Sequence, residues 1–308
     1  MERLIAVSAS ILPVFLALGL GMFCRQRQFL DRTGIDALKK VVVNLTLPFV
    51  LFDAFAGAEY SLNALLLPAL IFLVCCAALA LGGLVIRLSG SRSRLAPFLA
   101  SGFEAGMLGY ALFVMLFPQV STSRFAILDL GQTLFVFTVY KLLLSGKRDW
   151  RAMMQDMFRS PVLWAIFAGV LTGASGLYAQ LHQWGIGTVV DSISSFLSAP
   201  TGTIILLTVG YDLVLREISW KTTAGLVAMR FGILAVLLGL VILLNRTALG
   251  GAIFEGAAIL LFILPPPYVL PVFSDEPTER VQISSALSAL TFMTLILFAV
   301  LSVLMGAG

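Results

Sequence analysis

The chain contains a series of apolar segments of about twenty residues, each long enough to cross a hydrocarbon core of ~30 Å. About ten such segments follow one another, at residues 4–23, 38–57, 62–86, 96–117, 124–144, 161–181, 189–211, 221–244, 249–273 and 281–305. Only 12% of the 308 residues are charged, whereas soluble domains use about 25%. The sequence therefore predicts an all-α polytopic membrane protein with about ten transmembrane helices.

Basic residues are concentrated in the loops that follow the odd-numbered segments, with Arg25, Arg87, Arg159 and Arg280 as examples. Loops rich in Lys and Arg stay on the cytoplasmic side of a membrane. We therefore predict a multi-pass protein of the plasma membrane, the bacterial inner membrane, with both termini extracytoplasmic.

Two of the apolar segments are interrupted. The fourth reads APFLASGFEAGMLGYALFVMLF and carries Glu104 among the glycines Gly102, Gly106 and Gly109. Each Gly lowers helix propensity by roughly 1 kcal/mol relative to Ala, and a carboxylate near the bilayer centre costs at least about 2.5 kcal/mol. The ninth is broken by three prolines, which remove backbone donors and prevent a continuous helix; they are Pro265, Pro266 and Pro267. Paired interruptions in two halves of a chain point to a transporter's binding site.

The chain divides evenly into two halves of five spans. An odd number of spans per repeat requires that the second half is inverted relative to the first. Pro13 corresponds to Pro161, Pro48 corresponds to Pro200, and the interrupted fourth span corresponds to the ninth. We therefore predict a first five-helix repeat at residues 1–150 and a second, inverted five-helix repeat at residues 151–308, with spans four and nine as broken helices that cross.

Polar residues form a stripe on the fifth and tenth spans. Asp129 and Gln132 share one helix face, because they are three residues apart. Ser285 and Ser288 lie at the corresponding positions of the tenth span. Small residues also let membrane helices pack closely, so the two serines have a structural alternative to a role in binding.

Several charged residues have both a structural and a functional interpretation. Glu104 lies deep enough to need a partner or a proton, and it either bonds to backbone donors freed by the break or serves in binding and proton coupling. Asp129 either belongs to the same site or reaches the outer interface. Arg230 is interpreted as structural, neutralising an acid or capping carbonyls, and Glu255 as complementing a helix dipole. Asp212, near a span end, can reach water.

No catalytic, cofactor or metal site is predicted. Cys75 and Cys76 are adjacent in an apolar segment, which suits small buried residues better than a metal framework. The histidine His182 lies in a predicted loop and is interpreted as a loop or interface residue. Motifs of hydrolases, zinc proteases and nucleotide-binding loops do not occur in the sequence, so a membrane enzyme is disfavoured and no nucleic-acid partner is expected.

The sequence resembles the auxin efflux carrier family of the bile acid/sodium symporter superfamily, and a bacterial member is suspected. The segments that carry the resemblance are ILPVFLALGLG, KKVVVNLTLPFVLF, GFEAGMLGYALF and the proline cluster of the ninth span. Two departures stand out, because Glu104 replaces the family's Asn and Ala111 replaces its Pro. The second half of the ninth span, residues 268–273, is also shorter than is usual in the family.

The resemblance implies a carrier of small organic anions. It implies a fixed scaffold of spans one, two, six and seven, and a moving transport unit formed by the other six spans. The plant carriers are dimers, so a homodimer is a further expectation, beside the substrate and the lipid bilayer as partners.

We predict a secondary active, elevator-type transporter of a small organic anion such as a carboxylate, with symport of a proton as a hypothesis. The predicted substrate-binding residues are Glu104, Gly106, Gly109, Asp129, Gln132, Pro265, Pro266, Pro267, Tyr268, Ser285 and Ser288. The predicted proton-coupling residues are Glu104 and, as a second candidate, Asp129. The half-helices after each break are expected to direct free N–H groups to one point, where an anion is stabilised. The alternatives are a carrier of a neutral or cationic solute, and a channel or sensor-like protein.

Overall fold

The computed structural model describes residues 2–60, 62–91, 93–145, 155, 158–213, 218–273 and 276–305. Every regular element in these ranges is helical. The α-helices are α1 Glu2–Gln26, α2 Arg32–Val41, α3 Leu47–Ala56, α4 Leu62–Leu88, α5 Tyr110–Leu116, α6 Ser123–Phe135, α7 Lys141–Ser145, α8 Pro161–Ala174, α9 Leu177–Gln183, α10 Gly187–Ser198, α11 Thr201–Asp212, α12 Trp220–Thr247, α13 Glu255–Ile263 and α14 Pro277–Met305.

Shorter helical turns join several of these helices. Val42–Thr46, Ala105–Gly109 and Val136–Tyr140 are π-helical turns that continue directly into α3, α5 and α7. Ala96–Ala100 and Leu270–Phe273 are 3₁₀ turns. Wide turns of the π type occur frequently at functional positions of helices.

Six described segments are long and apolar enough to cross a membrane, judged by length and composition, or seven if the bent pair α8 and α9 is one span. The two helices of that pair meet at 70°. These segments are consistent with a polytopic membrane protein. The count of ten spans and the inverted repeats remain predictions, and the predicted boundary between residues 150 and 151 lies outside the described residues.

Two helix pairs pack most extensively, α1 against α11 and α3 against α8. Close approach in the first pair depends on glycine, as is common between membrane helices. A Cβ on Gly21 would lie 2.0 Å from the carbonyl oxygen of Leu207, and one on Gly210 would lie 2.1 Å from that of Leu18. The two backbones therefore touch directly.

The interrupted segments lie inside the bundle. Ala96–Ala100 packs on α4 and α12, and α13 packs on α6, α12 and α14. Buried apolar side chains surround both segments, among them Leu99, Leu112 and Leu264, each 0% exposed. The unwound backbone is thus enclosed by protein, as it must be at membrane depth.

Candidate functional site

The first break comprises Ser101–Glu104, between the 3₁₀ turn and the π-helical turn that leads into α5. Ser101 has extended backbone, with φ −130° and ψ 162°. Gly102 has φ +70°, a left-handed conformation that favours glycine. The Ser101 hydroxyl donates to the carbonyl oxygen of Cys75 at 2.6 Å. The chain therefore unwinds just before the helix that Glu104 begins.

Gly106 and Gly109, which the sequence predicts as part of the binding site, lie just beyond this break. Both glycines lie in the π-helical turn that follows the break. Gly109 is buried, and a Cβ there would lie 2.8 Å from the side chains of Leu264 and Phe125. Its role is therefore close packing, whereas a Cβ on Gly106 would meet only the Leu47 side chain, at 3.6 Å.

The second break comprises Leu264–Tyr268, after α13. Leu264 is extended, with φ −62° and ψ 151°. Pro265, Pro266 and Pro267 are buried, and because proline lacks an N–H group they leave no donors to satisfy. Only the four-residue turn Leu270–Phe273 follows, so the expected second half-helix with its own N-terminal anion site is not formed by the described residues.

The two breaks cross at Glu104. Its backbone N–H donates to the carbonyl oxygen of Pro265 at 2.8 Å. Its carboxylate accepts from the N–H of Tyr268 at 2.7 Å and from the N–H of Met107 at 3.3 Å. Glu104 therefore caps the helix after the first break with its own negative charge, where helix N-termini bind anions.

Arg230 of α12 connects the carbonyl groups of both breaks. The side chain is 0% exposed, and it donates to the carbonyl oxygens of Leu99 at 2.6 Å, Gly102 at 2.9 Å and Leu264 at 2.8 Å. Its guanidinium carbon also lies 5.5 Å from the centre of the Phe103 ring. The sequence left two structural roles open for Arg230, neutralising an acid or capping carbonyl groups. These contacts match the capping of carbonyl groups.

Asp129 and Gln132 form a buried polar group beside the first break. Asp129 is 3% exposed, and its carboxylate accepts from the Tyr110 hydroxyl at 3.0 Å, the Gln132 amide at 2.9 Å and the Thr133 hydroxyl at 3.2 Å. The Gln132 side-chain oxygen in turn accepts from the N–H of Phe103 at 3.3 Å. Through Gln132, this polar group on α6 therefore holds the backbone of the first break in position.

A cavity of about 520 Å³, here called the basic cavity, lies between α2 and α11 on one side and α14 with the second break on the other. Three of the predicted site residues line it, namely Tyr268, Ser285 and Ser288. The Tyr268 hydroxyl lies 3.3 Å from that of Thr291, and the Ser285 hydroxyl accepts from the N–H of Ser219 at 2.9 Å. The volume is within the range of small-molecule sites.

Four charged residues of the basic cavity were not predicted as part of the site. They are Arg32, Lys39, Asp212 and Arg280. In the sequence these residues lie next to the ends of predicted spans. There the basic residues indicate the orientation of the chain in the membrane, and Asp212 can reach water. Arg32 and Lys39 are seven residues apart, so they lie on one face of α2, and this spacing is the signal that could have identified them.

Most of the predicted site residues thus fall into two sets joined at Glu104. Tyr268, Ser285 and Ser288 line the basic cavity, whereas Asp129, Gln132 and Gly109 are buried beside the first break. Glu104 is partly exposed and binds Tyr268 of the cavity wall. Within the described ranges, no three side chains of His, Cys, Asp or Glu are grouped as ligands for a metal ion.

Two comparisons with known proteins bear on function. No family model matches the chain. A relative from Methanothermobacter thermautotrophicus, named "Uncharacterized transporter", is 26% identical over 220 residues, which cover 67% of this chain and 68% of the relative. The relative and the apolar helices support a transporter and favour a non-enzyme, while membership of the auxin efflux carrier family remains a prediction.

Proposed function

We propose that the protein is a secondary active transporter that carries a small organic anion, such as a carboxylate, across the plasma membrane. In this proposal ten spans form two inverted repeats, residues 1–150 and 151–308, and a transport unit moves against a scaffold in an elevator-type cycle. A homodimer and the orientation with both termini outside belong to the same proposal.

The pattern of helix packing supports the repeat. In the proposed count α1 is span one, α3 is span two, α8 is span six and α11 is span seven. In an inverted repeat, span one corresponds to span six and span two to span seven. The contact between spans one and seven (α1 and α11) therefore corresponds to the contact between spans six and two (α8 and α3), and these are the two most extensive helix contacts. Likewise, the contact between spans three and five (α4 and α6) corresponds to the contact between spans eight and ten (α12 and α14), and both of these pairs pack together.

The observation that carries the proposal is the crossing of the two breaks at Glu104 beside the basic cavity. Unwound backbone is tolerated at membrane depth where it lines a cavity or is buried in protein. Tyr268 belongs both to the crossing and to the cavity wall. A bound solute can therefore act directly on the junction of the two breaks.

The charges of the described cavity residues favour an anion. Arg32, Lys39 and Arg280 face the space together with the carboxylate of Asp212, so cations are in excess. A cavity whose net charge has one sign concentrates ligands of the opposite sign. A cationic solute fits this lining less well than an anionic one.

The position of Glu104 supports coupling to a proton. As a carboxylate, it accepts from the N–H groups of both Tyr268 and Met107. A proton removes the negative charge and converts one carboxylate oxygen into a hydroxyl, which is a weaker acceptor for an N–H group. Protonation therefore weakens the link between the breaks. Asp129 is the second candidate for the proton-coupling residue. It ranks second because its carboxylate already accepts hydrogen bonds from three donors.

Counterflow in proteoliposomes tests the proposal. A thermal-shift screen of metabolites first selects the substrate, since a ligand at about 100 times its dissociation constant adds about 2.7 kcal/mol to stability. We expect carboxylates to be selected, and labelled carboxylate uptake to accelerate when unlabelled substrate is present inside. If only cations stabilise the protein, the proposal that the substrate is an anion is contradicted. A sustained conductance, without faster uptake when substrate is present inside, indicates a channel.

A further inference from the structure

The charged groups of the basic cavity come from two opposite walls. Arg32, Lys39 and Asp212 lie on α2 and at the end of α11, which pack against each other. Arg280 lies on α14, on the wall that also carries Ser288. A ligand in the cavity therefore contacts two groups of helices at once.

Asp212 holds the cations of its own wall in an ion-pair network. One carboxylate oxygen accepts from Arg32 Nη1 at 2.7 Å, and the other accepts from Lys39 Nζ. Asp212 is the last residue of α11, where the helix dipole disfavours a negative charge. The two cations offset this cost, so the position of the carboxylate depends on them and not on its helix.

We propose that Lys39, Arg32 and Arg280 form an anion-binding site of the basic cavity, and that Asp212 occupies this site as an internal competitor. An entering anion takes over Lys39 and Arg32 from Asp212 and is held from the opposite wall by Arg280. This inference rests on the proposed transport function for its biological meaning, since the ligand is the transported anion.

Neutralising the competitor is the direct test. In Asp212→Asn the amide has nearly the shape of the carboxylate but no charge, so Lys39 and Arg32 become available to a ligand. We expect the purified protein to bind succinate about fivefold more tightly than the parent, which is the effect of one partly exposed ion pair. Isothermal titration in detergent at constant ionic strength measures the change.

Asp36→Asn is the matched control. Asp36 pairs with the same Arg32, at 3.5 Å, but its side chain is 48% exposed and is not part of the cavity lining. The substitution changes the net charge equally but leaves Lys39 paired with Asp212, so we expect it to tighten succinate binding less than Asp212→Asn does. Equal succinate affinities in Asp212→Asn and Asp36→Asn, or weaker binding in Asp212→Asn, overturn the proposal.

A second pair of variants keeps the test decisive if Asp212→Asn does not fold. Lys39→Gln is expected to weaken succinate binding about fivefold. Lys40→Gln, on the adjacent exposed residue outside the cavity lining, is expected to bind like the parent. Identical affinities in the two lysine variants contradict the site. So does failure of the parent and all folded variants to bind succinate, citrate or phosphate.

The outcomes separate this inference from the proposed function. If counterflow fails but Asp212→Asn binds succinate more tightly than Asp36→Asn, the anion site stands and the transport proposal falls. If counterflow succeeds and the two variants bind equally, transport stands and only the role of Asp212 falls.

Discussion

The two breaks cross at one point, but the hydrogen-bonding requirements of their backbone N–H and C=O groups are met in different ways. At the first break, side chains supply the partners, because Gln132 accepts from the N–H of Phe103 and Arg230 donates to the carbonyl oxygens of Leu99 and Gly102. At the second break, three prolines remove the donors. The N–H of Tyr268, which follows the prolines, donates to the Glu104 carboxylate.

The two breaks are two ways of interrupting a helix inside a protein without leaving buried backbone N–H and C=O groups unpaired. Proline removes the N–H donors, so the second break needs partners only for its carbonyl groups, which Arg230 and the N–H of Glu104 supply at Leu264 and Pro265. Glycine and Glu104 leave N–H and C=O groups that other helices must satisfy, since water is absent at that depth. The first break should therefore be the more sensitive of the two to distant substitutions.

The largest expected effect is that of Arg230→Gln, because this side chain serves both breaks. Gln can keep one of the three carbonyl contacts, and hydrogen bonds from a charged group contribute about 1.5–3 kcal/mol each. We expect a loss of about 3 kcal/mol or more in the free energy of unfolding, measured by thermal or denaturant unfolding in detergent.

Arg246→Gln is the control on the same helix. Arg246 is exposed and pairs with Glu255 at 2.7 Å, far along α12 from both breaks. Its loss should leave the melting temperature near that of the parent. Equal destabilisation by the two arginine variants would show that Arg230 does not hold the breaks.

Gln132→Leu is expected to have the next largest effect. It removes the acceptor of the Phe103 N–H at the first break and one donor to Asp129. A buried unpaired donor costs about 2 kcal/mol. The comparison is Thr291→Val beside the second break, which loses a 3.3 Å contact with the Tyr268 hydroxyl and a hydrogen bond to the carbonyl oxygen of Leu287, an acceptor within its own helix. A larger loss of stability in Thr291→Val than in Gln132→Leu would reverse the ranking of the two breaks.

Gly102→Ala should have a smaller effect, of at least about 1 kcal/mol, because a side chain at φ +70° is strained. The new Cβ would also lie 3.0 Å from the Pro267 ring. Gly106→Ala is the matched control, since its Cβ meets only Leu47 at 3.6 Å. Unfolding measurements on both variants decide the point, and equal melting temperatures would mean that the turn at Gly102 is not required.

The locations of the breaks were partly predictable from the sequence. Glycines around a membrane carboxylate and three consecutive prolines are local signals, and each acts on the backbone at its own position. Composition did not show which of the glycines Gly102, Gly106 and Gly109 adopts a positive φ. The glycine with positive φ is Gly102, where a Cβ would lie 3.0 Å from the Pro267 ring of the other break.

The partners of the breaks were not predictable in the same way. Arg230 is 131 residues from Leu99 in sequence, and Asp212 is 173 residues from Lys39. Such contacts arise from helix packing, and no local pattern encodes them. The positions of Glu104 and Tyr268 at the breaks could be predicted, because the signals for the breaks are local. The cations of the basic cavity could not be assigned to a site, because the positive-inside pattern already explained them.

Uptake driven by a pH gradient tests most directly whether Glu104 carries the proton of an anion transporter. The measurement compares the parent, Glu104→Gln and Glu255→Gln in proteoliposomes, with the substrate that the counterflow assay identifies. Glu255 binds Arg246 away from the breaks, so its variant should accumulate substrate like the parent. Glu104→Gln keeps a neutral acceptor at the crossing, so it should exchange substrate but lose accumulation driven by the gradient. Uptake by Glu104→Gln that remains as steeply pH-dependent as that of the parent would contradict this role and leave Glu104 as a structural cap between the two breaks.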